Sequence, residues 1–169
     1  VLRRLAQILP DWLRTISLFA LEKEGRPSPS SNLAPWEQAR CRLQAEITLL
    51  EYRDQVLPES HFTERVRVRN TGDVLWLAEP RPYQGWVRLG VKLCDVNGRL
   101  IRADLAYATL PHDLAPGEEA ELEVSIRAPE VAGRYILKYD LVGRAWFESC
   151  GSRPAEHPLQ VQASAGKEQ

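Results

Sequence analysis

The chain has 169 residues, 44% of them hydrophobic and 27% charged, with a formal net charge of −1. That is enough apolar material for one ordinary domain plus an appendage, and the near-zero charge excludes a general nucleic-acid binder, which needs an excess of Lys and Arg. Cys41, Cys94 and Cys150 are an odd number without CxxC spacing, so neither a disulfide framework nor a zinc knuckle is supported.

A reducing compartment is the simpler reading of those thiols, and a cytoplasmic protein is expected. Val1 and the lack of any methionine leave two readings open, a piece cut from a longer protein and a non-standard start. Residues 1–24 are predicted to form an amphipathic helical segment. Leu2, Leu5, Leu9, Trp12, Ile16 and Phe19 recur at spacings of three and four, on one stripe of a helix. Pro10 removes a backbone donor and predicts a kink or two short helices; Gly25 ends the segment. Pro10, Asp11 and Arg14 break the apolar run before it gains signal-peptide or membrane-spanning character. Asp11, Glu22 and Glu24 nearly cancel Arg3, Arg4 and Arg14. Docking on its own domain or on a missing upstream one is therefore favoured over peripheral membrane contact; a helix-mediated dimer through residues 2–21 stays open. Residues 25–40, with RPSPSSNLAP from Arg26 to Pro35, read as a Pro/Ser-rich linker.

Over residues 41–162 the period changes to two. Ala45, Ile47 and Leu49 mark a first strand, with Leu50 blurring its buried face. Phe62, Glu64, Val66 and Val68 form one face of a second, opposite Thr63, Arg65, Arg67 and Arg69; it stops at the turn cluster Asn70, Thr71, Gly72, Asp73. The third strand, Trp86 to Asp95, places Val87, Leu89, Val91 and Leu93 inward and Trp86, Arg88, Gly90, Lys92 and Cys94 outward. Asn97 and Gly98 predict a tight hairpin turn with positive φ, and Leu100 to Leu110 returns as an edge strand. Leu122, Val124 and Ile126, then Tyr135, Leu137, Tyr139 and Leu141, predict a half-buried antiparallel hairpin. A last strand is divided between Ala145–Ser149 and Leu159–Gln162, and residues 163–169 are a polar tail. About seven short strands between Gly and Pro turns predict an all-β, immunoglobulin-like antiparallel sandwich, preceded by the helical segment. The immunoglobulin disulfide is absent, because no cysteine lies on the second or sixth strand.

The stretches VRVRNTGDVLW, GWVRLGVKLCDVNGRLI, LPHDLAPGEEAELEVSIRAPEVAGRYILKYDLV and AWF resemble the Ig-like module found C-terminal to bacterial glycosyltransferases and methyltransferases of surface-polysaccharide clusters. The Asn-Thr-Gly turn followed by Trp is also similar, more distantly, to the four-tryptophan Ig-like domain of selective-autophagy receptors. The resemblance spans about Leu43 to Val161. It implies an accessory domain whose chemistry belongs to a neighbouring catalytic unit, with residues 1–24 the end of a missing enzyme or an anchoring helix.

The residues themselves offer little catalytic machinery. His61, His112 and His157 have no metal-ligand spacing. His112 with Asp113 is the best acid–base pair, but local hydrogen bonding in a loop explains it better. No histidine is placed to activate Cys94 or Cys150. Arg65, Arg67 and Arg69 face Glu121 and Glu123 across an immunoglobulin-type ladder, so neutralisation within the sheet is preferred to ligand binding. The candidate ligand site is the outer face carrying Trp86, Arg88 and Lys92 with Arg134, Lys138 and Asp140, where an aromatic ring beside charged groups suits a sugar or a protein hot spot. Burial of Trp86 at a sheet end or under the helix is the competing reading. Trp76 and Trp146 are expected to plug the ends of the core. The resulting expectation is a non-catalytic accessory module without catalytic residues, cofactor or metal, binding a glycan through Trp86, Arg88, Lys92, Arg134 and Lys138. The alternatives are a protein-interaction or dimerisation module and a fragment of a transferase whose catalytic domain is missing.

Overall fold

The computed structural model describes residues 43–81 and 85–163; the predicted helix over 1–24, the linker over 25–40 and all but the first residue of the 163–169 tail lie outside the described residues. Period-two patterning becomes eight strands: β1 (Ala45–Glu51), β2 (Gln55–Val56), β3 (His61–Asn70), β4 (Arg88–Cys94), β5 (Leu100–Thr109), β6 (Glu119–Arg127), β7 (Gly133–Val142) and β8 (Ala155–Val161). They form two sheets, β1-β3-β6 and β2-β8-β7-β4-β5. Val66, Val68, Val124 and Ile126 from the first meet Leu89, Val91, Leu137 and Leu141 from the second, all with no solvent exposure. This buried double row is the main stabilising term of the fold. The all-β sandwich expected from the alternation is the observed architecture, with β5 at an edge as expected.

Three local expectations are corrected. The stretches around Leu122–Ile126 and Tyr135–Leu141 are not a hairpin: β6 pairs with β3, whereas β7 lies between β4 and β8 in the other sheet. Alternation reveals which face of a strand is buried but not which neighbour it pairs with. The Asn97-Gly98 turn is not a two-residue loop with positive φ at both positions. Gly98 N–H donates to Asp95 O at 3.0 Å, and among these turn residues only Gly98 has positive φ, +79°. The Asp95 carboxylate accepts from Asn97 and Arg99 N–H, each at 2.9 Å, which selects the longer, bulged hairpin. Finally, Ala145–Ser149 is not half of a strand. A 3-10 turn occupies Phe147–Cys150, and β8 begins at Ala155. Gly151, with φ +87°, closes that turn by donating its N–H to Glu148 O at 3.0 Å, so the chain curls back on itself instead of extending along the sheet edge.

Two polar groups pin the sandwich. Glu64, on the inward face of β3, has no exposure; its carboxylate accepts from the Tyr139 hydroxyl of β7 and from Arg53 N–H at 3.1 Å. This contact joins the two strands that a disulfide links in antibody domains. Burial, then the Glu64 charge and hydrogen bond, keep the Tyr139 phenol protonated far above its usual range. Asn70, also fully buried, donates through its amide to Val74 O at 2.8 Å and Leu114 O at 3.0 Å and accepts from Gly72 N–H at 3.1 Å. It fixes the Asn-Thr-Gly turn. That turn delivers Trp76 to the core end, where its backbone exchanges two 2.9 Å hydrogen bonds with Leu114 and its ring meets Phe147 edge-on. The Trp76 indole nitrogen has no hydrogen-bond partner among the described residues.

Candidate functional site

The predicted site lies on the outer face of the five-stranded sheet, and register fixes its layout. Directly opposed residues share a face. Tyr107, Gly90 and Asp140 form one row across β5, β4 and β7, and Lys92, Lys138 and Glu156 form the next across β4, β7 and β8. Gly90 leaves a hole in the first row. The Trp146 ring fills it so closely that a Cβ at residue 90 would stand 2.5 Å from the ring; glycine inside a strand often marks such a close approach. Trp146 therefore covers the outer face and does not plug the core end as expected, whereas Trp76 does.

Under and beside this lid the two lysines are committed to internal pairs. Lys92 Nζ lies 4.0 Å from the Trp146 ring centroid, 3.4 Å from Asp140 Oδ2 and 3.2 Å from Glu148 Oε2. Lys138 pairs with Glu148 and, at 3.7 Å, with Glu156. Burial pushes the Asp140 carboxyl up, against the pull of the Glu148 N–H and Lys92. Partial burial would also raise Glu148, but Lys138 and Lys92 hold it below the carboxylate range; Lys138 is itself raised, despite burial, by Glu148. Lys92 is thus a buried structural cation, contrary to its placement as an exposed ligand contact.

The accessible part is aromatic. The Arg88 guanidinium lies 3.8 Å from the Tyr107 centroid and 5.2 Å from that of Trp86, and Tyr107 stacks on Trp146 with centroids 6.4 Å apart. Tyr107 remains 38% exposed, and Trp86 and Arg88 are half-buried. Arg134 is not brought to this group. It lies beyond the Ile136 row, where it donates to Gln160 Oε1 at 3.3 Å. Of the predicted residues, Trp86 and Arg88 share the exposed cluster, Lys92 lies under the Trp146 ring, Lys138 pairs with Glu148 and Glu156 beside it, and Arg134 stands apart. The sequence does not mark Tyr107, whose strand alternates weakly, or Glu148, which lies outside any strand; Gly90, a glycine inside a strand, is the one signal it carries.

The other candidate groups resolve locally. Glu121 binds Arg65 at 2.7 Å and Arg67 at 2.8 Å, the neutralisation expected on the small sheet. His112 Nδ1 is 2.9 Å from Asp113 O, while the Asp113 carboxylate accepts from Ala78 N–H and pairs with Arg81. Among the described residues no three of His, Cys, Asp and Glu gather as a metal-holding group, and no helix is long and apolar enough to cross a membrane.

Two sheets packed face to face, with an aromatic cluster and ion pairs on one outer face, define an immunoglobulin-like binding or interaction module, a class that is generally non-catalytic. A family model described as the Ig-like domain from next to BRCA1 gene matches residues 50–152, more than half of the chain, so the chain belongs to that family. No curated protein matches. Among solved structures, the chain is similar to a β-glucosidase from Listeria innocua in complex with laminaribiose, with 12% identity and a TM-score of 0.46 over 71% of this chain and 16% of that one. It is also similar to the CARDB domain of a Pyrococcus furiosus protein, with 19% identity and a TM-score of 0.41 over 71% and 94% of the two chains. A family 123 glycoside hydrolase from Clostridium perfringens gives 8% identity and a TM-score of 0.45 over 72% and 28%. The chain thus spans only a small part of both hydrolases, and these likenesses carry no argument about activity.

Proposed function

We propose that the chain is a protein-interaction module that holds a partner polypeptide against the Trp86–Arg88–Tyr107 end of the five-stranded sheet. The supporting observation is the Arg88 guanidinium set between two aromatic rings at the exposed end of an otherwise self-satisfied face. Trp, Tyr and Arg are the residue types on which interfaces concentrate binding energy, and a guanidinium already stacked gives up little freedom on docking. Lys92 and Lys138 support the lid in this reading, and Arg134 takes no part. A sugar would stack its C–H face on an open ring. Arg88 covers one face of Tyr107, and this favours a protein over a glycan.

The setting belongs to the same proposal. A cytoplasmic location fits the free thiols of Cys94 and Cys150. A role beside an enzyme of bacterial polysaccharide or glycoconjugate assembly is what the resemblance implies. A phage-displayed random peptide library and a glycan array, each probed with wild type, Trp86→Ala and Tyr107→Ala, test the reading. Peptides retained by wild type should lose about thirtyfold in affinity on Tyr107→Ala, the effect of removing a typical hot-spot ring. Glycan binding that Trp86→Ala abolishes, with no peptide dependent on Tyr107, would transfer the face to sugars and refute the protein reading.

A further inference from the structure

The open edge of β1 carries a pairing code of its own. Among the described residues β1 is the outer strand of the small sheet, paired on one side, with β3. Ser152 sits at its start: the hydroxyl accepts from Ala45 N–H at 3.0 Å and donates to Ala45 O at 3.3 Å. Ala45 therefore points its backbone away from β3, and the alternation of an antiparallel ladder makes Ile47 and Leu49 do the same. No hydrogen bond from a described residue reaches those outward groups of Ile47 or Leu49. Beyond Leu49 the register shifts at a bulge before Glu51. The free edge is thus two residues long, closed at one end by the Ser152 hydroxyl and at the other by the bulge.

The neighbouring edge of the large sheet is protected. Pro158, which lacks an N–H, stands in β8 just before the stretch that β2 covers, where Gln160 N–H reaches Asp54 O at 2.8 Å. β1 contains neither Pro nor Lys. Ile47 and Leu49 are only half-buried against the core, and Ile47 lines an open cleft of about 590 Å³ shared with Lys138, Arg153 and Ala155.

We propose that this edge pairs with the same edge of a second copy of the chain, antiparallel about a two-fold axis at Thr48, making one continuous six-stranded sheet. The two free residues set the register. Ile47 pairs with the second copy's Leu49 and the reverse, so every free N–H and C=O of both strands finds a partner. A shift of two positions in one direction would require Ala45, which Ser152 already holds. The opposite shift would require Glu51, beyond the bulge. In the selected register Thr48 faces Thr48, Glu46 faces Leu50 and Glu51 faces Ala45, so no two carboxylates meet.

Sedimentation velocity of the full chain and oxidative cross-linking, both in a Cys41→Ser background, test the pairing. Thr48 lies at a non-hydrogen-bonded pair, with Cα atoms about 4.5 Å apart, a separation a disulfide can span. Glu46 lies about 13 Å from its counterpart. Both side chains are exposed, so Thr48→Cys and Glu46→Cys are expected to fold. The expected result is concentration-dependent sedimentation, with Thr48→Cys forming covalent dimers at least ~tenfold faster than Glu46→Cys, as held neighbours do. Equal rates, faster linkage of Glu46→Cys, no linkage by either, or sedimentation independent of concentration up to about 1 mM, where even a millimolar Kd is visible, would overturn the proposal.

Discussion

At the scale of single residues, two buried polar side chains hold the sandwich. Asn70→Ala removes both amide donors and leaves Val74 O without its side-chain partner, and should cost about 1–3 kcal/mol in chemical denaturation. Asn70→Asp should cost more, since it aims an acceptor at two carbonyls; if the two substitutions prove equally stable, the amide is not the tie. Tyr139→Phe leaves one Glu64 oxygen buried and unpaired, with a loss of similar size, about 1–3 kcal/mol. The turn at Asn70 was legible from its residue types. Glu64 was legible only as an inward position, because its partner lies 75 residues away on the other sheet and strand periodicity carries no cross-sheet register. Titration follows from neighbouring charges. Arg67 and then Arg65 hold Glu121 below the ordinary 4.5, and Lys138 and Lys92 hold Glu148 below it in spite of partial burial. Between the depressed folded value and 4.5 the unfolded chain binds more protons. Stability from these groups is therefore complete above 4.5 and is lost as pH falls through the folded value. Asp140, raised by burial, works in the opposite direction from 3.8 upward. Urea midpoints measured across the acid range should fall less steeply for Glu148→Gln than for wild type; parallel curves would contradict the assignment.

Among the strands, the fit of Trp146 over Gly90 couples the loop after β7 to the middle of β4. Gly90→Ala puts a methyl group inside the ring's space and should destabilise the fold by about 1–3 kcal/mol. In a Trp146→Ala background the same change should cost little. A double-mutant cycle with additive costs would show that the ring is not the obstacle. Strand positions and inward faces were readable from alternation, as β3 and β4 illustrate. Sheet membership was not, as the split of β6 from β7 demonstrates, because local period contains no pairing information. The lid is not legible for the same reason: Trp146 acts from outside any strand.

At the scale of the whole molecule, the buried core among the described residues runs between Val56 and Val161, with Leu43, Ala45, Ile47 and Leu49 packed against its flank. Because the two described sheets close a core on their own, a chain lacking residues 1–40 should still unfold in one cooperative transition in urea. Loss of cooperativity would mean that the apolar stripe predicted near the N-terminus completes the core. The sandwich class was legible in the sequence, while the binding face was legible only in outline: outward residues could be named, but not which of them the lid would cover. Closure of the core end around Trp76 leaves its indole hydrogen out of solvent and without an acceptor among the described residues. In a proton NMR spectrum that hydrogen should resonate upfield of the other indoles and outlast them in heavy water. It offers a single peak through which closure of the two sheets can be followed without any label.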